Sequence, residues 1–146
     1  MKHKMIEAHM KAAETYAQLS TAKRLQVGAI VVKDNRVISI GYNGMPSGWD
    51  NNCEDVIIPT LPYLGESPVL KTKPEVLHAE TNAIAKLARS NESGLNATMF
   101  ITHAPCLDCA KLIYQSGISK IYFRNQYRNT DGIEFLTKSN IEVTQI

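Results

Sequence analysis

Two short blocks, His78-Ala79-Glu80 and Pro105-Cys106-Leu107-Asp108-Cys109, constrain this chain more than anything else in it. Each stands where apolar residues begin to recur at spacings of three and four, so each marks the start of a helix. After the first, Ala79, Ala83, Ile84 and Leu87 make the apolar face of a helix over about residues 78–89, with Gly94 beyond it as a stop signal. In the second, Pro105 opens a short helix through Tyr114, because proline is favoured at a first helical position, and Gly117 ends it. A short apolar strand over 98–102 leads into that second helix. A fold that suits both blocks carries two helix starts armed with metal-ligating side chains.

The scaffold follows from the remaining periodicities. Ile6, Met10, Ala13 and Ala17 form one face of an amphipathic helix over about 4–19. Residues 27–32 are apolar and β-branched and read as a buried strand. The turn Lys33-Asp34-Asn35-Arg36 joins it to a second strand over 37–40, which ends at Gly41-Tyr42-Asn43-Gly44. From Met45 to about residue 75 the chain is rich in Pro, Gly and Asn without a period, which predicts an irregular insert, too long for a simple connector. Further on come a strand over 118–123, a helix over 131–139 and a strand over 141–143. The order predicts an α/β fold of three layers, α-β-α, around a mixed five-stranded sheet. The hairpin makes an antiparallel pair, and the later β-α-β crossovers make parallel neighbours.

A length of 146 residues, 44% of them hydrophobic, suits one domain over 1–146. A formal charge of +2 lacks the basic footprint of a dedicated nucleic-acid binder. No apolar run is long enough to span a bilayer, and the first residues have no export signal. The expectation is a cytoplasmic protein without a membrane or stable nucleic-acid partner. In that setting a C-x-x-C among three cysteines points to metal or redox chemistry before a disulfide.

A C-x-x-C on a first helical turn points both sulfurs to one side, and the helix N-terminus stabilises thiolate. Cys106, Cys109 and a neutral His78 would give zinc three ligands and leave its fourth position open, the pattern of a catalytic site. There the metal lowers the pKa of bound water from 15.7 to about 7. Glu80 is then the proton carrier. A structural zinc knuckle needs a fourth ligand, and His103 and Cys53 are not at finger-like spacing. A redox C-x-x-C would not need a distant H-x-E.

H-x-E followed by P-C-x-x-C is the described signature of zinc nucleobase deaminases. Beyond it, S-T-A-K-R-L-Q-V-G-A (20–29), G-Y-N-G-M-P-S-G (41–48), H-A-E-T-N-A-I (78–84), P-C-L-D-C-A-K-L-I (105–113) and Q-S-G-I (115–118) resemble the deoxycytidylate (dCMP) deaminases of the cytidine deaminase superfamily over about residues 20–143. The G-Y-N-G-x-P-x-G block and the long insert narrow the resemblance to that branch. It implies a cytidine deaminase-like fold and the conversion of dCMP to dUMP and ammonia, which supplies thymidylate synthesis. It further implies Zn²⁺ on His78, Cys106 and Cys109, with Glu80 protonating ring N3 and then the departing amine. Asn43 would bind the sugar hydroxyl, and the Ala79 N–H and Ala104 carbonyl would read the base edge. Arg24, a guanidinium in the loop before the first strand, is the candidate for the 5′-phosphate or else a solvated loop residue. Tyr127 either closes over the nucleotide or packs. Cys53 is read as a lone thiol, with no second zinc expected.

The resemblance also implies a homo-oligomer, commonly a hexamer, activated by dCTP with Mg²⁺ and inhibited by dTTP. Asn43 and Gly44, where the insert begins, are the candidate residues for that second nucleotide. Two other readings compete: a deaminase of another base, of the tRNA adenosine or guanine type, and a non-catalytic zinc-stabilised nucleotide-binding module. Glu80 speaks against the module, and the near-neutral charge and the G-Y-N-G-M-P block speak against the tRNA enzyme.

Overall fold

In the computed structural model, which describes residues 1–60, 64–65 and 67–146, the β-branched run forms β1 (Gly28–Lys33), whose side chains alternate between two cores. Asp34 and Asn35 both take positive φ, as a two-residue type I′ turn requires, and deliver the chain into β2 (Arg36–Tyr42). The other elements are α1 (His3–Ala17), β3 (Glu54–Ile57), β4 (Val69–Thr72), α2 (Ala79–Ala88), β5 (Thr98–His103), α3 (Leu107–Gln115), β6 (Lys120–Asn125), α4 (Asp131–Lys138) and β7 (Glu142–Gln145). Among the described residues the main sheet has five strands, in the order β2-β1-β5-β6-β7. β1 is antiparallel to both β2 and β5, and the two crossovers through α3 and α4 make β5, β6 and β7 parallel.

Register explains the layers. Ile30, Phe100 and Tyr122 lie in one row across β1, β5 and β6 and pack under Met10 and Ala13 of α1. The next row, Val31, Met99 and Ile121, faces the other way, onto Ala83 and Leu87 of α2, Ile113 of α3 and Leu136 of α4. Period-2 alternation thus gives the three-layer α-β-α architecture. Arg124 on β6 fastens the lone helix, with Nε donating to Glu14 at 2.8 Å and Nη2 to Glu7 at 2.5 Å. Its guanidinium holds the Glu7 carboxyl below the usual range. The later strands extend past their apolar runs, because their ends pair through backbone, as in His103 with Asn125 and Phe123 with Gln145.

The insert is more regular than its composition predicts. β3 and β4 pair as an antiparallel hairpin outside the main sheet. Its inner end clasps the segment before β1. Thr21 Oγ1 donates to Asn51 O at 2.8 Å, and buried Cys53 sits beside Ala22 and Val76. Gly44 and Leu77 exchange both backbone hydrogen bonds, at 3.1 and 2.8 Å, closing the insert at its base. Residues 61–63 and 66 of the insert lie outside the described residues. Among the described residues no helix is long and apolar enough to cross a membrane.

Candidate active site

Both armed helices begin later than periodicity predicts, α2 at Ala79 and α3 at Leu107. His78 is the N-cap of α2 (φ −74°, ψ 154°) and Cys106 the N-cap of α3 (φ −70°, ψ 169°). Pro105 therefore precedes the cap and does not open the helix. Neither N-cap side chain makes a capping hydrogen bond among the described residues. Both are turned to each other: His78 Nδ1 lies 3.7 Å from Cys106 Sγ and 3.3 Å from Cys109 Sγ, one turn into α3. Two close backbone contacts fix these turns. Gly41 of β2 faces Ala79, and a Cβ on Gly132 of α4 would stand 2.1 Å from the Pro105 carbonyl oxygen.

The three ligand atoms lie within 4.8 Å of one another. Zinc bonds of about 2.3 Å to sulfur and about 2.0 Å to nitrogen place tetrahedral ligands about 3.5–3.8 Å apart, so this group fits the ion. Its protonation agrees. A hydrogen bond from the Cys109 thiol holds Cys106 down to about 4, and the same bond, with burial, pushes Cys109 up. The bond to Cys106 raises His78. The two sulfurs thus share a proton that a bound divalent cation displaces. Glu80, in the first turn of α2, is buried without being one of the ligands, and desolvation raises its carboxyl above the usual range.

One cleft collects the predicted residues. Arg24, Asn43, His78, Ala79, Glu80, Ala104, Cys106 and Tyr127 all line it. Cys109 lies behind the wall, 1% exposed. Gly44 is absent from the lining and takes part in the bridge at the insert's base. Asn43 uses both ends of its amide on the preceding loop: Oδ1 accepts from Val27 N at 2.8 Å, and Nδ2 donates to Leu25 O at 2.8 Å. One lone pair and one hydrogen stay free for a ligand. The Ala104 N–H donates to Asn125 O at 2.9 Å, which fixes that peptide at the end of β5.

The cleft also contains residues that sequence reasoning missed. Arg128 adds a second cation, and its signal was its place directly after Tyr127. Thr72 reaches the cleft from β4 and accepts a hydrogen bond from Arg24 Nη1 at 2.9 Å. His103 lines it too, with burial lowering its imidazole and Nδ1 3.0 Å from Thr102 Oγ1. Leu25, Val27 and Val76 supply the apolar wall.

A His/Cys/Cys group beside a carboxyl that stays out of the ligand set defines the class, the zinc-binding deaminases of nucleobases. Comparison with known proteins narrows it. The model of the cytidine and deoxycytidylate deaminase zinc-binding region matches residues 3–125. The deoxycytidylate deaminase of Homo sapiens is 37% identical over 127 residues, 86% of this chain and 67% of that protein. That of Enterobacteria phage T4 is 31% identical over 176 residues, 94% of this chain and 87% of that protein. The crystal structure of dCMP deaminase from the cyanophage S-TIM5 in complex with dCMP and dUMP matches with a TM-score of 0.88 at 46% identity, covering 100% of this chain and 99% of that one. The chain belongs to the deoxycytidylate deaminase family and is a deaminase.

Proposed function

We propose that the chain catalyses the hydrolytic deamination of dCMP to dUMP and ammonia. The observation that carries this reading is the sharing of one cleft by a buried carboxyl, Glu80, and by Arg24 and Arg128. The first serves the chemistry at a ring, and the cations serve a phosphate monoester. The cyanophage enzyme, similar over the whole chain, has been crystallised with dCMP and dUMP. His78, Cys106 and Cys109 hold the zinc, which when bound supplies Lewis-acid activation of water.

The chain's own groups do the rest. Glu80, as a carboxylate, takes one proton from the attacking water and delivers it to ring N3, then takes the proton of the new C4 hydroxyl and delivers it to the departing amine. The Ala79 N–H, at the open N-terminus of α2, and the Ala104 carbonyl read the base edge. Asn43 offers its free lone pair and hydrogen to the sugar hydroxyl. Arg24 binds the 5′-phosphate, and Tyr127 closes over the nucleotide.

In the same reading residues 1–146 form one deaminase domain of a cytoplasmic enzyme that supplies thymidylate synthesis. It works as a homo-oligomer, a hexamer, activated by dCTP with Mg²⁺ and inhibited by dTTP, with Asn43 and Gly44 at the base of the insert contacting the effector. Ammonia release from dCMP, CMP, deoxycytidine, adenosine and guanine tests the substrate. dCMP should give the highest kcat/KM, and a preference for adenosine or guanine would overturn the reading.

A further inference from the structure

The insert holds Arg24, one of the cleft's two arginines, from outside the catalytic core. Glu54, at the start of β3, and Thr72, at the end of β4, are directly opposed in the hairpin. Opposed residues of an antiparallel pair share a face, so both side chains act on one side. The Glu54 carboxylate accepts the Lys23 N–H at 2.9 and 3.1 Å, and Thr72 Oγ1 accepts from Arg24 Nη1 at 2.9 Å. One residue pair of the insert therefore holds two consecutive residues of the loop, the first by its backbone and the second by its guanidinium.

Glu54 is an expensive group to use this way. It is 3% exposed, and among the described residues no Lys, Arg or His makes an ion pair with it. A buried carboxylate without a counter-ion costs stability that one amide hydrogen bond offsets only in part. What the carboxylate secures is the loop's position, and with it Arg24. A guanidinium has five N–H donors, so the one spent on Thr72 leaves four for a ligand.

We infer that Glu54 and Thr72 are positioning residues for substrate selection. They hold Arg24 at the mouth of the cleft, so that the insert sets the preference for a 5′-phosphorylated nucleoside over the free nucleoside. The inference rests on the reading of Arg24 as the phosphate ligand. Its physical content is preorganisation: an arginine already fixed loses less conformational entropy on binding than one on a free loop.

The test is kcat/KM for dCMP and for deoxycytidine in the wild type and in Glu54→Ala, Glu54→Gln, Thr72→Val and Arg24→Ala. Glu54→Ala and Thr72→Val should each lower the dCMP-to-deoxycytidine ratio by about tenfold, through a raised KM for dCMP. Glu54→Gln, whose amide oxygen still accepts the Lys23 N–H, should restore the ratio to within about twofold, and Glu54→Ala should add nothing to Arg24→Ala. A merely structural role would weaken both substrates together and leave the ratio unchanged, which would overturn the inference. If Glu54→Ala does not fold, Thr72→Val carries the same test. A collapsed ratio in Arg24→Ala beside a normal one in Glu54→Ala and Thr72→Val sinks the positioning role alone. An unchanged ratio in Arg24→Ala removes the phosphate reading, and this inference with it.

Discussion

A Cβ on Gly41 would lie 2.2 Å from the Ala79 carbonyl oxygen, with the Ala83 amide nitrogen at 2.6 Å. Both are backbone atoms of α2, so no rotamer change relieves the clash. Gly41→Ala should push α2 off β2 and with it His78 and Glu80, on either side of Ala79. The expected cost is about 1–3 kcal/mol of stability, as for other overpacked sites, with faster loss of zinc to a chelator. Denaturant unfolding and chelator competition measure the two, and wild-type values in both would show that this contact does not seat the helix.

Much of the scaffold is legible in the sequence because its strands bury both faces and read as unbroken apolar runs, as at Ile30, Val31 and Val32. The site is legible because its ligands stand at helix starts. The positions of those starts are not, because His78 and Cys106 sit at N-caps where Ser, Thr, Asp or Asn are the usual signals. Their side chains are committed to each other, so capping chemistry is missing. The hairpin of the insert is hidden for another reason. Glu54–Thr72 and Asp55–Lys71 make both faces polar at the inner end, and Val56–Leu70 and Ile57–Val69 make both apolar at the outer end, so period-2 alternation vanishes. Thr72 and Glu54 reach the loop at 23–24 only through tertiary contacts that no local pattern encodes.

Removing either sulfur should empty the metal site. Cys106→Ala and Cys109→Ala leave two of the three ligands, and emission spectroscopy should find little zinc in either purified variant. Stoichiometric zinc in both would refute the ligand set.

Glu80 should behave differently, because it is not one of the ligands. Glu80→Ala should keep zinc and fold while deamination falls by about 10²–10⁴-fold or more, the usual cost of losing a general acid–base group. Near-normal turnover in a zinc-loaded variant would rule out the proposed proton carrier.

The face under α1 supplies a pH dependence independent of the metal site. His9 is 8% exposed, its ring centroid 5.2 Å from that of Phe100, and its Nε2 has no partner among the described residues. Burial lowers its pKa. As pH falls through the unfolded value of about 6.5, the unfolded chain takes up a proton that the folded state resists, so stability falls until the folded pKa is reached. Urea unfolding at about pH 7.5 and about pH 5.5 should show a smaller loss for His9→Leu than for the wild type. Equal losses would mean that His9 contributes nothing to acid sensitivity.

Regulation can be read from the shape of the rate curve. If dCTP and dTTP prefer different states of the enzyme, dCMP saturation should be sigmoidal, shifted left by dCTP with Mg²⁺ and right by dTTP. A hyperbola indifferent to both leaves the catalytic assignment standing and removes the effector site.

Among the described residues, β3 and β4 pair with each other and with no strand of the main sheet. The insert is therefore a cassette whose outer end can change length at little cost, since each doubling of a loop adds only about 0.6 kcal/mol of closure entropy. Selection can rework that arm, and the loop it grips, without moving the turns that carry His78 and Cys106. A lineage built on this plan can change which nucleotide it admits while keeping the way it removes the amine.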